Sequence, residues 1–143
     1  MNLLDAPFKQ ALLARVRRIP IFDTLGMRVE DFQKGYCKAV VPHDIRYDGV
    51  YESFHGGLLM TAADSIACFA IMTQTGPDEL LTTTDMNIRF LAPCLTDVTV
   101  VARVIKLGRR LCPVAIDLFD AKGTQVAVAQ VTYMRLSGER DRR

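Results

Sequence analysis

One carboxylate in this sequence is placed where chemistry is the natural reason for it. Asp64 is the only Asp, Glu, Lys or Arg between Phe54 and Pro77, inside the run LLMTAADSIACFAIM. A carboxylate taken out of water without partners is costly, and a mere scaffold is better served there by Ala or Leu. Read structurally, Asp64 reaches solvent or a backbone N–H. Read functionally, it faces a cleft in which desolvation tunes it as a base or a nucleophile.

The same segment opens with His55-Gly56-Gly57. Glycines let a ligand approach the backbone closely, and the first turn of a helix carries unpaired N–H groups and a favourable dipole. Such groups can hold a carbonyl oxygen as it becomes an oxyanion. Gly57 and Asp64 are seven residues apart, which puts them on one helix face, roughly 10 Å apart along the axis. A small acyl group fits between them. His55 either anchors the turn into the helix or works as an acid–base group; no second metal-type ligand stands beside it in the sequence.

A second polar group lies around LGRR, where Lys106, Arg109 and Arg110 flank a turn. Two arginines there either meet phosphates through charge-assisted hydrogen bonds or are simply solvated. Neither GxxxxGK[ST] nor GxGxxG occurs, so no nucleotide-cradling loop competes for the role.

The elements that must position these residues can be read from periodicity. Phe8, Leu12, Val16 and Ile19 recur at helical spacing until Pro20, which defines an N-terminal helix over residues 1–20. Residues 27–33 and 36–41 read as strands joined at Lys34-Gly35, and 42–54 as a polar loop. The segment 55–76 is apolar or small around its whole circumference and stops at Gly76-Pro77, so it is a helix buried on nearly every side. Residues 82–91 alternate strictly, with Thr84, Met86, Ile88 and Phe90 facing the core and Thr83, Asp85, Asn87 and Arg89 facing outward. Strands at 98–106, 111–119 and 125–136 follow, and the charged tail 137–143 frays. A largely antiparallel sheet that must cover an all-round apolar helix curls around it, giving one α+β domain over 21–136.

Composition narrows the function. The chain has 143 residues, 50% hydrophobic and 24% charged, which fits one globular domain and excludes disorder. A net charge of +2 is too mild for a nucleic-acid or membrane-surface partner. Cys37, Cys68, Cys94 and Cys112 form no CxxC pair, which excludes a zinc ribbon and a secreted disulfide scaffold. The N-terminus lacks a signal core, and Asp64 interrupts the most apolar stretch. A soluble, cytoplasmic protein with reduced thiols is expected.

HGG with an aspartate nine positions after the histidine, followed by TTTDMNIRFLAP, resembles the hot-dog fold acyl-CoA thioesterases of the phenylacetate-degradation type, over about residues 20–136. The resemblance implies a curved antiparallel sheet wrapped around one long central helix. It implies that Asp64 is the catalytic carboxylate, as general base on water or as nucleophile, and that the Gly57 N–H polarises the thioester carbonyl. Thr83, otherwise an ordinary strand threonine, falls where relatives carry a Ser or Thr that positions water, contributed by the partner subunit. Relatives often carry Asn or Gln six residues before the histidine, where this chain has Gly49 beside Asp48. An acyl-CoA substrate, no metal or other cofactor, and a homodimer arranged as a dimer of dimers follow from the same resemblance. Phe54, Leu59, Met60 and Phe90 are candidates for the acyl pocket. A hot-dog dehydratase would need a histidine facing an acid across the site. A non-catalytic acyl-CoA binding module on the same fold is the alternative from another class, and no helix-turn-helix accompanies the domain.

Overall fold

The computed structural model describes residues 4–136; the expected charged tail at 137–143 lies outside them. Helix α1 (Ala6–Val16) begins at Asp5, whose carboxylate accepts from the Phe8 N–H at 2.9 Å. Its Leu12 and Val16 are buried. Pro20 ends that pattern and also opens a second short helix, α2 (Pro20–Leu25), which periodicity alone did not reveal. Proline suits a first helical position, and Gly26 closes the helix at φ 67°, a left-handed conformation that favours glycine.

Strands β1 (Arg28–Gln33) and β2 (Tyr36–Val41) precede the long helix α3 (Gly56–Thr75), and β3 (Leu81–Phe90), β4 (Val98–Val104), β5 (Leu111–Phe119) and β6 (Gln125–Arg135) follow it. The six strands form one antiparallel sheet in the order β1-β2-β4-β5-β6-β3. It is the curved sheet of a hot-dog fold, wrapped around α3, which packs chiefly on β2, β4 and β5. Ala62, Ala63, Ala67 and Ala70 are fully buried, so small side chains bring the sheet close to the helix, and Ile66, Phe69 and Ile71 fill the remaining volume. Phe69 meets Phe22 of α2 edge-on, with ring centroids 5.6 Å apart. Helix α3 has the length and hydropathy to span a bilayer. In this fold the wrapped sheet accounts for that apolar surface.

One irregularity decides where the site lies. Thr83 pairs with Tyr133 and Asp85 with Thr132, so Thr84 is an extra residue, a β-bulge at the edge of the sheet. The bulge resets the alternation. Thr83 therefore shares the inward face with Met86 and Ile88, while Thr84 turns outward and its hydroxyl donates to the Thr132 carbonyl at 3.1 Å. The expected strict alternation over 82–91 is corrected in its first half. Phe90, expected in the core, is 54% exposed.

Candidate active site

Asp64 sits half-buried in the middle of α3, turned toward the pair β3–β6. The Thr83 hydroxyl donates to its Oδ1 at 2.7 Å. The Tyr133 hydroxyl lies 2.8 Å from the same Oδ1 and 2.7 Å from the Asp64 carbonyl oxygen. Among the described residues nothing bonds Oδ2, which is not buried. Burial above all pushes the Tyr133 phenol well above its usual range, with Cys68 and Asp64 adding to the shift, so the hydroxyl keeps its proton and donates. Cys68, one turn along α3, is pushed up to about 11 by burial first and by Asp64 second, and so remains a neutral thiol.

This geometry corrects the expected origin of Thr83. Its hydroxyl reaches Asp64 of its own chain, because the bulge at Thr84 turns residue 83 inward. Tyr133 was not foreseen at all. The available signal was the alternation of β6, which turns Val131 and Tyr133 inward; a buried phenol needs a partner for its hydroxyl.

At the start of α3, His55 is the N-cap and its Nδ1 accepts from the Gly57 N–H at 2.9 Å. The anchoring reading of His55 therefore describes its place in the structure. The N–H of Gly57, expected to meet a carbonyl, is already engaged by that ring. The N–H of Gly56 has no partner among the described residues, and it is the open donor at this helix end. The Phe90 ring lies against Gly56 so closely that a Cβ there would stand 2.9 Å from its Cζ. Around them, Ser53, Phe54, Leu59 and the segment 90–94 enclose a cleft of about 370 Å³. Of the four expected acyl-pocket residues, Phe54, Leu59 and Phe90 line it and Met60 does not.

A second cleft of about 420 Å³ lies on the other side of Phe54, between α2, the end of β2 and Leu58. His43 lines it, and its Nε2 stands 2.6 Å from Asp48 Oδ1 with both side chains largely buried. Asp48, beside Gly49, is thus engaged by His43. The two are five residues apart, and the short helical turn Ile45–Tyr47 between them reverses the chain and brings them together. Neither cleft includes Asp64.

Lys106, Arg109 and Arg110 are exposed at the β4–β5 turn. Gly108 is required there, since a Cβ would stand 2.2 Å from the Leu111 carbonyl oxygen. The Arg110 carbonyl accepts from the Arg135 N–H at 2.7 Å, and Arg135 pairs with Leu81. The basic turn therefore lies at the Thr83 end of β3, away from Gly56 and Phe90. Among the described residues no cluster of three His, Cys, Asp or Glu is placed to hold a metal.

A family model described as the thioesterase superfamily matches residues 51–127, which contain α3 and β3 to β5. Human acyl-coenzyme A thioesterase 13 is 33% identical over 89 residues, 60% of this chain and 61% of that protein, less than two thirds of its length. Among solved structures, PaaI of Escherichia coli, from the phenylacetic acid degradation operon, superimposes with a TM-score of 0.82 at 20% identity over 89% of this chain and 91% of that one. A thioesterase family protein of Silicibacter pomeroyi gives the same TM-score, 0.82, at 22% identity over 90% and 97%. At these identities the two structures speak for the fold.

Proposed function

Because the chain belongs to the thioesterase superfamily, we propose that it hydrolyses acyl-CoA thioesters with Asp64 as the reacting carboxylate. The observation that carries this reading is a helix carboxylate held on one oxygen by Thr83 and Tyr133, with Oδ2 left open. Through Oδ2 the residue takes a proton from water as the water oxygen adds to the thioester carbon, or adds to that carbon itself. The C–S bond then breaks and the thiolate leaves; where Asp64 has added, water cleaves the resulting mixed anhydride, which releases the acid and restores the carboxylate. The Gly56 N–H stabilises the oxyanion at the helix N-terminus. The human relative's name supports coenzyme A as the thiol component, and Arg109 and Arg110 are the groups suited to its phosphates.

The two ends of this machinery belong to two copies of the chain. Gly56 and Asp64 are eight residues apart on α3, about 12 Å along its axis. A carbonyl and its attacking atom lie about 3–3.5 Å apart in a reactive complex, so the small acyl group expected between the two ends of one helix does not meet both, and that expectation is corrected. Strand β3 is an edge of the sheet, with Thr82, Thr84, Asp85, Asn87 and Arg89 exposed. Pairing that edge with a second copy about a twofold axis brings the partner's helix start towards Asp64 and satisfies the open backbone groups.

Free-thiol release from short, medium, long and aryl acyl-CoA substrates tests the activity. Turnover of at least one is expected. Binding of acyl-CoA with no turnover across the panel would favour the binding module instead.

A further inference from the structure

Asp64 is held by more than a catalytic carboxylate needs in order to exist. The Tyr133 hydroxyl stands 2.7 Å from the Asp64 carbonyl oxygen and 2.8 Å from its Oδ1, while Thr83 donates to that same Oδ1 at 2.7 Å. We propose that Tyr133 is a positioning residue for Asp64: its phenol ties the side chain and backbone of that residue to β6, so that only Oδ2 faces the thioester. This rests on the hydrolase reading above.

An aspartate on a helix moves among rotamers about χ1, and its χ2 is broad. A single hydrogen bond from Thr83 leaves the carboxyl free to pivot about the bonded oxygen. A second donor at Oδ1, anchored on the neighbouring strand, removes that freedom. The phenol has one proton and shares it between the two acceptors as a three-centre bond. Because Tyr133 is 6% exposed and faces Thr83 across the β3–β6 ladder, the sheet itself sets where its oxygen lies. Burial keeps the phenol protonated across the working pH range. A phenylalanine would fill the same apolar volume, so the hydroxyl is what the site requires.

Tyr133→Phe removes that oxygen and keeps the ring. The expected result is a kcat lowered about 10- to 100-fold, because loosened reacting groups lose rate steeply. KM should stay within about twofold, since substrate contacts are unchanged. Thr83→Val should behave alike and Thr83→Ser should recover the rate. In an Asp64→Asn background, Tyr133→Phe should leave the residual rate unchanged, whereas a merely structural role would lower it by the same factor as in the native chain. Tyr133→Phe with native kcat, beside an inactive Asp64→Asn, would overturn the inference and leave the hydrolase reading standing. An active Asp64→Asn would overturn both. Should the phenylalanine variant not fold, the Tyr133 hydroxyl proton of the native chain provides the reading by NMR. Its resonance should move on Asp64→Asn, and an unmoved resonance would overturn the inference.

Discussion

Gly56 gives the sharpest separation between a helix-end donor and a glycine kept only for space. Two substitutions share one steric effect and differ in one N–H. Gly56→Ala keeps the donor and places a Cβ about 2.9 Å from Phe90 Cζ and 3.2 Å from Cε1. Those atoms are the tip of a ring that is 54% exposed, so the ring tilts and the penalty is small. Gly56→Pro adds a similar contact and deletes the N–H. Its main backbone demands are already met: residue 56 is the first of α3, where proline is tolerated, and His55 has ψ 125°, extended rather than helical as the residue before proline requires. Loss of one oxyanion donor lowers kcat about 10²- to 10³-fold, or about 2.7–4 kcal/mol. Thiol release should therefore fall a few-fold in Gly56→Ala and by two to three orders of magnitude in Gly56→Pro, with similar melting temperatures. Equal rates in the two variants would refute the assignment of the Gly56 N–H.

Refolding Gly56→Pro together with Asp64→Asn should restore roughly a quarter of native activity, because half of randomly paired dimers are mixed and each mixed dimer holds one intact site. Refolding Asp64→Asn with Thr83→Val should restore none, since both residues come from the same chain. Replacing Arg109 and Arg110 by Ala should raise KM for acyl-CoA more than for a truncated thioester lacking the nucleotide, and equal effects would remove the turn from the coenzyme site. Cys68 predicts an alkaline loss of stability: its folded thiol is pushed up to about 11 against an ordinary 9.0, so below pH 9 both states keep the proton and stability is full. As pH rises towards 11 the unfolded chain loses that proton first, and urea melts should show stability falling more steeply in the native protein than in Cys68→Ala.

The helix and its carboxylate were legible because a lone charge in an all-round apolar segment is a local signal. The sheet was legible for the same reason, since strand alternation is written in neighbouring residues. What sequence did not disclose depends on pairing across the fold. A one-residue bulge at Thr84 inverts the facing of Thr83, and only the β3–β6 register reveals it. Tyr133 lies 69 residues from Asp64, and its hydroxyl acquires meaning only once β6 is seen beside β3. Which N–H stands open at the helix start depends on the His55 ring, whose Nδ1 engages Gly57 and leaves Gly56 without a partner among the described residues. Asp48 and His43 are near in sequence, yet their pairing depends on the turn Ile45–Tyr47 that reverses the chain between them.

If Asp64 Oδ2 performs the chemistry, Asp64→Asn removes the reacting group itself. Asparagine keeps the size of the side chain and its carbonyl still accepts from Thr83, while the group that takes a proton or attacks carbon is gone. Thiol release from the best acyl-CoA substrate should fall by at least about 10³-fold with the fold intact, the scale on which loss of a reacting group acts. A folded Asp64→Asn protein that hydrolyses the thioester at near-native rate would show that Asp64 is not the reacting carboxylate.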